Sequence, residues 1–86
     1  MDKFPHRTSL EITRDILKVI SKGAHLRGQI IQKANLRAIE LLTRLDALKS
    51  KGLIDETLKK GHHYYELTPE GKVALKTFTD LFEGRI

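Results

Sequence analysis

Apolar residues recur at helical spacing in four stretches of the chain, and between the third and fourth the period changes to alternation. Ile12, Ile16, Val19 and Ile20 form the first stripe. Thr8 followed three positions later by Glu11 announces its helix, because each side chain of that pair satisfies an orphan amide of the first turn. The predicted helix runs from about Ser9 to Lys22, and Gly23 ends it. A short second helix is predicted over Leu26 to Ala34, with Leu26, Ile30, Ile31 and Ala34 inward and Arg27, Gln29, Gln32 and Lys33 outward. Asn35 is read as the turn into a third helix, from about Arg37 to Lys51, striped by Ala38, Leu41, Leu45 and Leu48 and closed by Gly52. Beyond it, Leu53 to Leu58 and His63 to Leu67 read as antiparallel strands around Lys59, Lys60, Gly61 and His62, with Tyr65 and Leu67 on one side and Tyr64 and Glu66 on the other. Thr68 and Pro69 start a fourth helix, from Pro69 to about Glu83, since threonine caps well and proline is at ease in the first helical position.

The resulting order is mainly α with a β-hairpin: a three-helix core, a hairpin wing and a C-terminal helix, the arrangement of a winged helix-turn-helix. A chain of 86 residues builds one domain around one modest core, expected to span residues 1–86. Residues 1–8 are expected to be a flexible N-terminus, and the helix over 69–86 is a candidate dimerisation element. With 40% apolar and 31% charged residues the composition is that of a globular protein, and no stretch is apolar enough to span a membrane. There is no cysteine, so neither disulfides nor thiolate metal ligands reinforce the core. Met1 to Ser9 carry charges and Pro5 but no apolar run of signal-peptide length, and a cytoplasmic protein is expected.

Charge sharpens the picture through its placement. The net +5 sits entirely between Arg14 and Arg37, where Arg14, Lys18, Lys22, Arg27, Lys33 and Arg37 face Asp15 alone, while the other segments balance. A local excess of this kind suits a polyanion.

Ala34-Asn35-Leu36, then Leu45 and Leu48, Gly52-Leu53-Ile54 and the run Tyr65-Glu66-Leu67-Thr68-Pro69-Glu70-Gly71 resemble the small archaeal winged-helix proteins. That group includes transcriptional regulators and the ten-kilodalton chromatin proteins of thermoacidophilic archaea. The resemblance covers residues 12–80 and implies double-stranded DNA binding, usually as a homodimer held through the C-terminal helix. Two departures qualify it. The relatives extend that helix into a long coiled coil, whereas this chain stops at Ile86, and they carry two basic residues and a threonine where this chain has Arg27, Gly28 and Gln29.

The side of the third helix opposite its stripe carries Glu40, Thr43, Ala47 and Ser50, flanked by Arg37, Ile39 and Arg44. It is either the face that enters the major groove or a solvated surface. Arg37 and Arg44 are candidate guanine or phosphate contacts, and Thr43 a candidate for a thymine methyl or a phosphate. Glu40 and Asp46 oppose phosphate and help only where they face a cytosine amine, the one DNA contact open to Glu40. Ile39 and Leu42 read as boundary core. Arg27, Gln29 and Lys33 on the second helix, and Lys59, Lys60 and His62 at the wing tip, are candidate backbone contacts. Phe78, Leu81 and Phe82, with Phe4, either pair two chains or cap the monomer's own core, and the dimer is favoured.

No phosphate-cradling glycine loop, cysteine nucleophile or nucleophile elbow is present, and the adjacent His62 and His63 lack further ligands, so neither an enzyme nor a metal or other cofactor is expected. The leading expectation is a DNA-binding regulator or chromatin-associated protein. The rival is a winged helix used as a protein-interaction module through Ile39, Leu42, Glu40 and Asp46.

Overall fold

The Thr8–Glu11 pair forms the reciprocal cap its spacing predicts. Glu11 N donates to Thr8 Oγ1 at 3.1 Å and Thr8 N to Glu11 Oε1 at 3.0 Å, opening α1 (Ser9–Ser21). The computed structural model describes residues 7–83. After α1 come α2 (Arg27–Ala34), α3 (Ala38–Ser50), β1 (Ile54–Lys59), β2 (His62–Leu67) and α4 (Pro69–Glu83), the expected winged-helix order. Each helix end has a local cause. Ala24 N reaches Val19 O at 3.0 Å and Leu53 N reaches Leu48 O at 3.0 Å, closing α1 and α3 with the same wrap-around bond. Asn35 takes the left-handed conformation, φ 57°, and turns the chain from α2 toward α3 as expected.

The hairpin is tighter than its sequence suggested. Lys59 pairs with His62, so the turn is the two residues Lys60 and Gly61, both at positive φ (51° and 80°). That geometry matches the right-handed twist of the strands it joins. A single antiparallel bridge between Leu26 and Tyr64, with Tyr65 N donating to His25 O at 2.9 Å, lays the segment before α2 along β2.

α1 runs through the centre, packing against α2, α4 and β2. The core comprises Ile12, Ile16, Leu17 and Ile20 from α1, Ile30 and Ala34 from α2, and Leu41, Leu45 and Leu48 from α3, together with Ala24, Leu36, Ile54 and Tyr65. Tyr65 is buried and Leu67 packs on the core, while Glu66 is exposed, so the predicted alternation of β2 holds. Two expectations fail on α3. Ile39 is 76% exposed and Leu42 44% exposed, not boundary core, because β1 and α2 cover only the side carrying Leu41, Leu45 and Leu48. Ala38, read as part of the stripe, is exposed for the same reason.

Two long-range ties hold this frame. Thr68 Oγ1 donates to Gly52 O at 2.6 Å and accepts from Gly71 N at 3.0 Å, while Thr68 N donates to Leu53 O at 3.1 Å, fastening the start of α4 to the exit of α3. Arg7 fastens the other end. Its guanidinium donates to Asp15 Oδ2 at 2.6 Å, Ala34 O at 2.9 Å and Asn35 O at 2.8 Å. Arg7 and Thr8 thus make specific bonds within the stretch 1–8 expected as a flexible N-terminus; positions 1–6, Phe4 among them, lie outside the described residues.

Candidate nucleic-acid interface

Since the core takes one side of α3, helical periodicity turns the other to solvent. There Ile39, Glu40, Thr43, Arg44 and Ala47 line a shallow groove of about 320 Å³. Thr43 Oγ1 donates to Ile39 O, one turn back, at 3.2 Å. Arg44 Nη1 donates to Ser9 Oγ at 2.7 Å, which draws its guanidinium toward the start of α1. Arg37 is the exposed N-cap residue of α3.

The start of α2 and the wing tip face each other across a cleft of about 390 Å³ lined by Arg27, Gly28, Gln29, Gly61, His62 and His63, with Leu26 beneath. Gln29 spends its side-chain oxygen on the amides of His25 (3.1 Å) and Leu26 (3.2 Å), capping α2 where Leu26 has no acceptor to offer. Lys60 and His62 are exposed at the tip, and Lys59 Nζ lies 6.0 Å from the centre of the Tyr64 ring.

Arg27 turns inward on the wing. Its Nε donates to the Tyr65 hydroxyl at 2.8 Å and its Nη2 lies 3.5 Å from Glu56 Oε2. Glu56 is the hub of this cluster: Lys49 Nζ donates to its Oε1 at 2.5 Å and the Tyr65 hydroxyl to its Oε2 at 2.9 Å. His63 Nδ1 approaches the same Oε2 at 2.6 Å, a charge contact once the imidazole is protonated rather than a well-aligned hydrogen bond. One carboxylate thus joins α2, α3 and both wing strands. Lys49 first, then the Tyr65 hydroxyl, hold the Glu56 carboxyl down at about 2, below its ordinary 4.5. A carboxyl depressed by folding contributes its full stability above about pH 4.5 and loses it as pH falls through that window toward 2. Acid is therefore expected to loosen the wing from α2 and α3. Glu56→Gln is expected to cost about 1–2 kcal/mol at neutral pH, a figure moderated by solvent screening, and to flatten the pH slope below about 4.5. Urea titrations of both proteins from neutral to acid pH check this, and parallel slopes would remove Glu56 as the cause.

The charge excess of residues 14–37 divides in the fold. Arg14 Nε donates to Asp15 Oδ1 at 2.8 Å and its guanidinium stacks 5.3 Å from the Phe82 ring, so Arg14 and Arg27 both serve internal contacts. Lys18 and Lys22 of α1 meet Lys33 of α2 around a third cleft of about 350 Å³, which also borders Arg7 and Asn35. Lys33 thereby joins a lysine group that helix-by-helix reading does not reveal. The Glu56 cluster is equally hidden from such a reading. Its partial signal is the two-residue turn, which by counting pairs Glu56 with Tyr65, but nothing local brings Lys49 or Arg27 to them.

On α4, Phe78 packs against the domain's own core, whereas Leu81 is 45% and Phe82 37% exposed, with Leu10 of α1 exposed as well. Among the described residues no helix is long and apolar enough to cross a membrane, and no group of three or more His, Asp or Glu is placed to hold a metal ion.

A family model described as winged helix-turn-helix matches residues 6–85. An uncharacterised protein of Methanocaldococcus jannaschii is 32% identical over 77 residues, spanning 90% of this chain and 75% of that protein. Among solved structures, Sso10a-2, a DNA-binding protein from Sulfolobus solfataricus, is similar with a TM-score of 0.84 at 23% identity, covering 92% of this chain and 82% of that one. The transcriptional regulator BldR from Sulfolobus solfataricus is similar with a TM-score of 0.79 at 18% identity, over 86% of this chain and 55% of its own. At those identities the likeness is one of fold.

Proposed function

The chain belongs to the winged helix-turn-helix family, and from that premise we propose that it binds double-stranded DNA as a transcriptional regulator or chromatin-associated protein. The observation that carries the reading is the outer face of α3, solvent-exposed from Ile39 to Ala47 beside the turn at Asn35 and of a width that a major groove admits. Sso10a-2, which shares the fold over most of both chains, is a DNA-binding protein. In this arrangement α3 enters the groove, with Arg37 at its leading end. Lys33 and the wing-tip residues Lys59, Lys60 and His62 supply phosphate contacts. Arg27 and Gln29, engaged with the wing and with the α2 amides, position the frame more than they grip DNA. Leu81 and Phe82, exposed on α4, are the apolar residues through which two copies pair on half-sites about one helical turn apart. Residence on the nucleoid follows from the same reading.

Fluorescence anisotropy with a labelled random duplex of about 30 base pairs, over a salt series and against a single strand, tests the proposal. The duplex is expected to be preferred, with log affinity falling steeply against log salt. Arg37→Ala and Lys33→Ala are each expected to reduce that slope by about 1. Absence of duplex binding even at low salt would overturn the reading, and an Arg37→Ala protein that binds as well as the unaltered one would remove α3 as the contact face.

A further inference from the structure

The solvent face of α3 is not the polar surface that nucleic-acid contact by itself requires. Ile39, Thr43 and Ala47 stand at intervals of four, so they form one row along the helix, with Glu40 and Arg44 as the neighbouring row. Ile39 is 76% exposed in the first turn of α3, where an uncovered branched aliphatic side chain gains nothing for the fold. The Thr43 hydroxyl gives its proton to Ile39 O, which leaves its methyl, beside an oxygen that can only accept, as what it offers a ligand. Ala47 offers a methyl and nothing else. The row is therefore a line of methyl groups set in the shallow groove already described.

Guanine readout fits this face poorly. The arginine within the groove, Arg44, has its Nη1 bonded to Ser9 Oγ at 2.7 Å, and Arg37, at the leading end of the helix, is read above as a backbone contact through its effect on the salt slope. Among base edges in the major groove the one apolar group is the C5 methyl of thymine. Glu40, an acceptor when ionised, can take an exocyclic amine, which cytosine presents as well as adenine, so it does not itself separate the two kinds of base pair and the discrimination falls to the methyl row.

We infer that the row Ile39, Thr43 and Ala47 recognises thymine methyl groups in the major groove, so that this chain distinguishes DNA by its A·T content and by the placement of thymines. The inference rests on the DNA-binding reading above. Ile39 leads, because the N-terminal residues of a recognition helix reach base edges first. Shielding a methyl from water on both partners rewards the contact without any new hydrogen bond.

The test compares an A·T-rich duplex of about 30 base pairs with the same duplex carrying deoxyuridine for every thymidine, which keeps each phosphate and each hydrogen-bonding group and removes only the methyls. Burial of one methyl corresponds to about fourfold in affinity, so two or more contacts are expected to give a ratio of about tenfold or greater in favour of thymine. Ile39→Ala, at an exposed position where folding is undisturbed, is expected to bring that ratio down toward one, and Thr43→Ser, which keeps the hydroxyl, to lower it in part. Equal binding of the two duplexes by the unaltered protein overturns the inference and leaves DNA binding standing. A ratio unmoved by Ile39→Ala also overturns it, since the methyls would then be read elsewhere. Binding of neither duplex overturns the inference together with the reading it rests on.

Discussion

Gly71→Ala is expected to lower the thermal unfolding midpoint by about 10–20 °C, equivalent to about 2–3 kcal/mol in a domain of this size. A methyl at this position would run into Leu53 O and sit 3.0 Å from Leu53 C. The obstacle is backbone and not a flexible side chain, so α4 itself must withdraw. Withdrawal stretches the bond from Thr68 N to Leu53 O, 3.1 Å, and pulls on the Thr68 hydroxyl that bridges Gly52 O and Gly71 N. Alanine's helical advantage over glycine, about 1 kcal/mol, falls short of that cost. Gly28 provides the control. It lies in α2 with nothing within 4 Å of where an alanine methyl would stand, so Gly28→Ala is expected to stabilise by about 0.5–1 kcal/mol. Thermal unfolding followed by circular dichroism separates the two, and a Gly71→Ala protein as stable as its parent would mean that α4 does not approach Leu53 so closely.

Arg7→Ala is expected to cost about 2–3 kcal/mol in urea unfolding. The side chain is only 15% exposed, and its loss leaves Asp15 with Arg14 alone while uncovering the carbonyls of Ala34 and Asn35 at the turn between α2 and α3. Arg7→Lys is expected to recover a minor part of this, because an ammonium cannot span three acceptors that a planar guanidinium reaches together. Amide exchange at Asn35 and Leu36 is expected to accelerate in both variants ahead of global unfolding. Uniform exchange across the domain would place the effect elsewhere than the turn.

These two positions show which parts of the molecule could be read from the chain. Gly71 belongs to the Tyr65–Gly71 run that carries the family resemblance, but its necessity is a distance between α4 and Leu53, which no periodicity encodes. Arg7 reads as part of a loose terminus because no neighbour in sequence gives it a role; its partners lie 8, 27 and 28 residues away. Ile39 misleads for a related reason. An apolar residue at the edge of a stripe is buried or exposed according to how far the next element extends, and β1 and α2 stop short of it. Arg27 has the same lesson in reverse: a cation on an outward helix face found its partner in Glu56 of the wing.

By itself the sequence determined the element order, the caps and the turn residues. The Thr8–Glu11 cap, the left-handed Asn35 and the Pro69 start of α4 depend on bonds and backbone preferences within a few residues. The core stripes of α1 and α3 likewise follow from periodicity, since a helix buries whichever side is apolar. Only the tertiary structure decided that Arg14 and Arg27 serve internal contacts, that Lys18, Lys22 and Lys33 share one cleft, and that Ile39, Thr43 and Ala47 line a groove together with Glu40 and Arg44. Each of those depends on the crossing of elements distant in sequence, where separations of a few ångströms choose the partner of a long side chain and local pattern carries no information about them.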